Sequence, residues 1–304
     1  MESSHLIKPN SLQAWILATR PKTLLISFVP FFTGTILAYG QGVPIKPYLF
    51  FAAWLFGLCI QVSVNLFNDA IDFIKGADTS TRKGFLRTAQ ANLLPASQII
   101  RAGWAICALG MLIGIPLIYE GGLVMFALMV LSVLFSYGYT GGRYSIAYTG
   151  TGEIFLIIFF GLIATGSAYW IQAHQFNWDV FVLALQNGFL SIIPMHINNL
   201  RDWQEDRLIN KKTTVVRFGL FVGRIELVVV SSIPFLLTYY WVFKQNMYAA
   251  LLPWITVPLA LYLVANIWMK EPSPAYNDYL AKSAVLMLCF GLLVSVGFLF
   301  GVPY

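Results

Sequence analysis

Nine uninterrupted apolar stretches, each close to the length of a membrane-spanning helix, limit what this chain can fold into. A helix needs about 20 apolar residues to cross a bilayer, and continuous rather than alternating stretches favour helices over a β-barrel. Only 11% of the 304 residues are charged, against about 25% in soluble domains. We predict an all-α multi-pass membrane protein, a single domain over residues 1–304, with nine transmembrane helices at roughly 23–39, 48–67, 98–119, 121–138, 153–173, 178–198, 225–243, 247–269 and 283–302.

The lysines and arginines lie almost entirely on one side of these predicted helices. Of the 19 basic residues, 17 fall on the side of the N-terminus and the even-numbered loops, and only Lys46 and Lys244 fall on the other side. Since positively charged loops stay in the cytoplasm, we expect a cytoplasmic N-terminus and cytoplasmic long loops in the cell inner membrane. The basic residues sit in short loops beside the lipid bilayer, so they suit anionic lipids or an anionic substrate and not nucleic acid.

Polar side chains recur at the cytoplasmic ends of two apolar stretches. Residues four apart share one face of a helix, so Asn68 pairs with Asp72, and Asn65 pairs with Asp69 on the neighbouring face. A second ladder follows the sixth stretch and consists of Asn198, Asp202 and Asp206. Acids at membrane depth are costly and mark functional sites. We therefore expect the fold to bring the two ladders together.

The ladders offer oxygen ligands, and the nearest soft donor is His196, which we expect to be a packed, hydrogen-bonded histidine. Oxygen donors suit Mg²⁺, which shares its coordination shell with substrate phosphates. The predicted metal-binding and catalytic residues are Asn68, Asp69, Asp72, Asp202 and Asp206. Cations interleaved with these acids favour a magnesium-bridged diphosphate, although a cation transporter is the alternative class. The predicted phosphate-binding cations are Lys22, Arg82, Arg87, Arg143, Arg201 and Lys211.

Two of the cytoplasmic loops carry further candidates. The second loop, residues 76–88, is too polar to span a membrane and is expected to cap the first ladder with its basic side chains. The fourth loop is rich in tyrosine and ends at Glu153, which heads the next helix, where the helix dipole favours it. Tyrosines at an interface either form an aromatic belt or line a pocket for a flat aromatic substrate. The tyrosines of this loop are Tyr137, Tyr139, Tyr144 and Tyr148.

The ladders resemble the two aspartate-rich motifs of the UbiA superfamily of intramembrane aromatic prenyltransferases, on helices two and six of nine. The likeness covers nearly the whole chain and is closest to the branch that prenylates 1,4-dihydroxy-2-naphthoate. Two departures stand out: Gly76 replaces a third acid found in many members, with Asp78 two residues later, and Phe85-Leu86 stand where a proline and a basic residue are expected. The segments that carry the likeness are residues 20–24, 68–78, 139–144 with 152–153, and 198–207.

The resemblance implies an enzyme that uses Mg²⁺ to transfer a polyprenyl group from polyprenyl diphosphate to an aromatic acceptor. For the naphthoate branch, it implies 1,4-dihydroxy-2-naphthoate as the acceptor, with loss of CO₂ to give demethylmenaquinone. Acceptors used elsewhere in the superfamily, namely 4-hydroxybenzoate, homogentisate, haem B and chlorophyllide, stay open. Besides the cations named above, the implied substrate-binding residues are Tyr139, Tyr144 and Asn198.

Overall fold

A computed structural model describes residues 7–77, 84–143, 145–245 and 247–300, and the regular secondary structure in these ranges is helical, with no strand. The predicted site residues Arg82 and Tyr144, as well as Asp78, lie outside the described residues, and so does the side chain of Lys22. The helices are α1 (Leu12–Thr19), α2 (Pro21–Leu24), α3 (Phe28–Gly40), α4 (Pro47–Ile74), α5 (Ala96–Ile113), α6 (Ile115–Gly138), α7 (Ile146–Thr149), α8 (Gly152–Ala173), α9 (Trp178–Leu208), α10 (Thr214–Gln245), α11 (Tyr248–Met269) and α12 (Tyr276–Phe300).

Eight of these helices are long and apolar enough to cross a membrane: α4, α5, α6, α8, α9, α10, α11 and α12. The all-α, multi-pass prediction is thus confirmed, whereas the count of nine is not. The first predicted stretch is broken into α2, a 3₁₀ turn over Leu25–Ser27 and α3, which has 13 residues. At 1.5 Å per residue, α3 is about 20 Å long, which is short of the roughly 30 Å hydrocarbon core.

Helix α9 forms the centre of the bundle. In its most apolar segment, 78% of the residues are buried, a larger share than in any other candidate span among the described residues. Helix α9 packs against α3, α8, α10 and α12. Glycines let α8 approach it closely: a Cβ on Gly161 would lie 2.4 Å from the Ala184 carbonyl oxygen, and one on Gly188 would lie 2.9 Å from Ile157 Cα. Small residues at such contacts allow the close packing that joins helices in lipid.

Helix α8 contains a π-helical segment over Ile157–Thr165. Segments of this kind interrupt the regular side-chain spacing and occur frequently at functional sites. Here the consecutive residues Phe159 and Phe160 both contribute to the wall of the same cavity, as do Ile163 and Ala164. The local change of helix type therefore widens the strip of α8 that faces that cavity.

Candidate active site

One large cavity, of about 350 Å³, lies between α4, α6, α8 and α9. Its two ends differ in chemistry. One end is polar and receives residues from the ends of α4 and α9 and from the loops that follow them. The other end runs between the helices and is apolar. The polar end is lined by Arg20, Asn68, Asp72, Arg87, Tyr139, Asn198, Arg201, Asp202, Asp206 and Lys211, and the apolar end by Phe31, Ala53, Phe56, Ile60, Leu117, Met125, Met129, Phe159, Ile163 and Ala164.

The first ladder contributes Asn68 and Asp72, as predicted from their spacing. The Asn68 side-chain oxygen accepts a hydrogen bond from the Thr140 hydroxyl. Asp72 lies 3.2 Å from the Arg87 guanidinium through Oδ2 and accepts a hydrogen bond from the Tyr148 hydroxyl at 2.9 Å through Oδ1. Arg87 is therefore brought to the first ladder, in agreement with the predicted capping role of its loop.

Asp69 does not line the cavity, whereas Asn68 and Asp72 do. Its side chain is 1% exposed. One oxygen accepts hydrogen bonds from the Thr88 amide and hydroxyl at 2.9 and 3.0 Å, and the other accepts one from the Ala89 amide at 2.9 Å. One residue along a helix turns the side chain by about 100°, which directs Asp69 into the loop. Its contacts are those of a loop anchor, and they give no support to the predicted role in metal binding.

In the second ladder, Arg201 and Asp202 form a bidentate ion pair. The guanidinium Nε and Nη2 donate to the two carboxylate oxygens at 2.6 and 2.7 Å. Arg201 also donates to the Asn198 side-chain oxygen at 2.5 Å and to Asn277 at the start of α12. The Arg201 side chain is 1% exposed, so this pair is held in place from three sides.

Asp206 completes the second ladder and pairs with the loop that follows α9. Lys211 Nζ lies 3.1 and 3.2 Å from the two oxygens of Asp206. The Lys211 backbone amide also donates to the Asp206 carbonyl at 2.9 Å. The loop is thereby folded back over the helix end, and Lys211 reaches the cavity as predicted.

The tyrosine-rich loop after α6 reaches the first ladder and the cavity. Tyr148 binds Asp72, and Lys75 Nζ lies 4.6 Å from the centre of the Tyr148 ring. Tyr139 lines the cavity, and desolvation of its hydroxyl, together with the carboxylates of Glu153, Asp72 and Asp206, raises its pKa above the usual range. Tyr139 therefore stays protonated and offers a hydrogen-bond donor. Arg143 is exposed and does not line the cavity.

Several cavity residues were not among the predicted site residues. Arg20 ends α1 in the left-handed conformation, with φ at 54°, and lines the polar end. Phe85, at the position where a proline was expected, lies on the cavity wall as well. Asn199 and Glu153 line the cavity from α9 and α8. One sequence feature pointed to Arg20, namely its position directly before Pro21-Lys22. Asn199 directly follows Asn198, and spacing alone could not show that it also lines the cavity.

The ladder acids do not converge on a single point. Among the described residues, the only group of three potential ligands with donor atoms within 4.8 Å of one another is Glu153, His196 and Glu226. Instead, Asp72 pairs with Arg87, Asp202 with Arg201, and Asp206 with Lys211. The polar end thus consists of three acid–base pairs around one space, which suits a polyanionic group held from opposite sides.

Comparison with known proteins agrees with this geometry. A model of the UbiA prenyltransferase family matches residues 27–285. The chain is 29% identical to the 1,4-dihydroxy-2-naphthoate octaprenyltransferase of Haemophilus influenzae, over 99% of this chain and 100% of that protein. It is 32% identical to the Escherichia coli protein of the same name, over 68% of this chain and 69% of the relative. In structure, it is similar to a UbiA homologue from Archaeoglobus fulgidus bound to DMAPP and Mg²⁺, with a TM-score of 0.61 and 15% identity over 93% of this chain and 99% of that one.

Proposed function

The chain belongs to the UbiA prenyltransferase family, and from that membership we propose that it transfers a polyprenyl group from polyprenyl diphosphate to 1,4-dihydroxy-2-naphthoate. The carboxylate of the acceptor leaves as CO₂, and the product is demethylmenaquinol, the reduced form of demethylmenaquinone. Relatives that carry this activity in their names are 29% and 32% identical to the chain. The enzyme lies in the inner membrane with its N-terminus and site loops in the cytoplasm, which the bias of 17 to 2 basic residues supports.

The observation that carries the proposal is the division of the cavity into a polar and an apolar end. The polar end holds acids and cations together, as a diphosphate with a bridging metal requires. The apolar end continues between α4, α6 and α8 and is lined by aliphatic and aromatic side chains. A polyprenyl diphosphate has this same division, with a charged head and a long hydrocarbon tail. A small-ion pathway would not need the apolar half.

The residues at the polar end fit Mg²⁺. Asn68, Asp72, Asp202 and Asp206 offer oxygen donors only, which are the ligands that this ion prefers. We propose these four as the residues that hold Mg²⁺, with the two ladders on opposite sides of the diphosphate. When bound, the ion neutralises charge on the departing diphosphate.

The chain's own cations act on the same leaving group. Arg87, Arg201 and Lys211 each pair with a ladder acid in this structure. The ladder acids would hold the metal, and the cations released from them would bind the phosphate oxygens of the substrate. The cations then stabilise the negative charge that develops as the allylic C–O bond breaks. The apolar wall excludes water from the allylic carbon until the aromatic ring attacks it.

One experiment tests the proposal. Purified protein in lipid vesicles is incubated with Mg²⁺, one polyprenyl diphosphate and, in parallel, 1,4-dihydroxy-2-naphthoate, 4-hydroxybenzoate and homogentisate. We expect prenylated, decarboxylated naphthoate by mass spectrometry, and no product without Mg²⁺. A product with another acceptor only would contradict the assigned acceptor. Uptake of a labelled cation into the vesicles without consumption of the diphosphate would contradict the enzymatic function.

A further inference from the structure

A buried acidic pair with a histidine between its carboxylates lies directly behind the cavity wall. His196 on α9 is fully buried, and its Nδ1 atom lies 4.0 Å from Glu153 Oε1 and 3.8 Å from Glu226 Oε2. Glu153 comes from the first turn of α8, and Glu226 comes from α10. The three side chains therefore connect three different helices at one point.

The hydrogen bonds of His196 determine which of its nitrogens is free to accept a proton. Nε2 lies 2.7 Å from the Gly223 carbonyl oxygen, to which only an N–H can donate. The remaining lone pair of the neutral ring is therefore on Nδ1, and Nδ1 has no hydrogen-bond partner. It faces two carboxylates, and Glu226 Oε2 is also buried without a partner. Nδ1 and the two carboxylates are all hydrogen-bond acceptors, so a proton can be held between them.

The three residues differ in their exposure, and only one end of the group lies at the cavity. Glu153 lines the cavity, and its side chain is 14% exposed. His196 does not reach any surface, and Glu226 on the far side is 21% exposed. Two residues before Glu226, Arg224 donates to the Lys270 carbonyl in the loop between α11 and α12. One end of the group thus faces the substrate cavity, and the other lies near a surface loop.

We propose that Glu153 is the catalytic base and acid for the aromatic acceptor, with His196 and Glu226 as positioning residues that hold the proton it takes up. This inference rests on the proposed prenyl transfer. As the ring carbon bonds to the allylic carbon, the allylic C–O pair leaves with the diphosphate. The acceptor's O–H bond supplies the electrons of a new C=O bond, and its proton passes to a Glu153 oxygen.

The proton then rests on His196 Nδ1, which can also pass it to Glu226. When the acceptor carboxylate leaves as CO₂, the electrons of the broken C–C bond return to the ring, and the ring oxygen takes the proton back from Glu153. The present Nδ1 to oxygen distances exceed a hydrogen bond by about 1 Å, a gap that rotation of a glutamate side chain closes. Tyr139, whose pKa is raised by desolvation and by the Glu153 carboxylate, is a titratable neighbour of the base, and Asn199 Nδ2 lies 3.5 Å from Glu153 Oε1.

The first test compares Glu153→Gln with the wild type in vesicles. We expect kcat to fall by about 10²- to 10⁴-fold, the range for loss of an acid–base group, with the KM for the diphosphate unchanged. The loss should shrink about tenfold for each pH unit toward the pKa of the acceptor hydroxyl, because the ionised acceptor needs no base. An equal loss at every pH, or full activity, would overturn the proposal. Glu120→Gln is the matched control and should leave kcat unchanged, because Glu120 pairs with Lys46 and His174 and does not line the cavity.

The second test measures the protonation of His196 without turnover, and it therefore separates this inference from the proposed function. The chain has three histidines, so the His196 signals in a ¹⁵N-histidine spectrum are assigned with His196→Gln. We expect Nδ1 to gain and lose a proton while Nε2 stays protonated, with the Nδ1 transition moved to lower pH in Glu226→Gln, which removes one stabilising charge. An Nδ1 that never takes up a proton, or a tightly bound transition metal lost in Glu226→Gln, would overturn the inference. Absence of transfer to every acceptor would instead contradict the proposed function.

Discussion

Tyr148 donates a hydrogen bond from its hydroxyl to Asp72 Oδ1 at 2.9 Å, while its backbone carbonyl accepts one from the Lys212 amide at 3.0 Å. One residue of the loop after α6 therefore touches the end of α4 and the loop after α9. Gly150 makes the second contact possible, because its φ of +76° and the absence of a Cβ let the loop approach the Lys212 carbonyl. The first ladder is thus connected, through a third segment, to the loop that follows the second ladder.

Tyr148→Phe removes only this hydroxyl and should lower turnover about tenfold or more. A hydrogen bond to a charged group is worth about 1.5–3 kcal/mol, and its loss leaves Asp72 less firmly oriented. The effect is measured as kcat and as the Mg²⁺ concentration needed for half-maximal activity. Tyr137→Phe is the matched control, since Tyr137 packs against Phe67 and Trp104 and does not line the cavity. Equal effects of the two changes would contradict the assigned role of the Tyr148 hydroxyl.

Asp72→Ala, Asp202→Ala and Asp206→Ala should each abolish transfer while the protein still inserts into membranes. Asp202→Ala should also destabilise the fold, by about 3–5 kcal/mol, because the fully buried Arg201 loses the carboxylate that balances its charge. Asp202→Asn keeps a hydrogen-bond acceptor and separates the two effects. Activity is measured in vesicles, and stability by thermal unfolding in detergent. Near wild-type turnover of Asp202→Ala would contradict the metal-binding role.

Asp69→Ala tests whether this acid binds metal or holds the loop. It removes three hydrogen bonds to Thr88 and Ala89, so we expect a loss of about 3 kcal/mol in stability, at about 1 kcal/mol each. The Mg²⁺ concentration for half-maximal activity should stay unchanged in the protein that remains folded. A large rise in that concentration, without a fall in thermal stability, would restore Asp69 to the predicted set of metal ligands.

Ala164→Phe should shorten the tail that the cavity accepts. Ala164 is buried and lies at the apolar end, on the π-helical segment of α8. A phenyl ring there fills the space that a long isoprenoid needs but leaves the polar end unchanged. We expect the KM for long donors to rise several-fold while that for geranyl diphosphate stays within about twofold. The short donor is the internal control, and equal losses with both donors would place Ala164 in packing rather than in tail recognition.

Membrane residence, the all-helical fold and most of the polar end followed from the sequence because they depend on local patterns. An apolar stretch of about 20 residues must form its hydrogen bonds within one helix in lipid, whatever it packs against. The spacing of Asn68 from Asp72, and of Asn198 from Asp202 and Asp206, places each set on one helical face. The breaking of the first stretch into α2 and α3 could not be read in this way, because composition does not record where a helix is interrupted.

Which neighbouring acid faces the cavity was decided only by the tertiary structure. Asp69 and Asp72 are both acids at the end of one helix, but the loop at Thr88 folds against Asp69 and donates hydrogen bonds to its carboxylate. His196, Glu153 and Glu226 are far apart along the chain and meet only because α8 and α10 pack on α9. The sequence by itself determined which side chains are available and on which helical face, whereas long-range packing determined their partners, because a carboxylate binds whichever donor the fold brings within hydrogen-bonding distance.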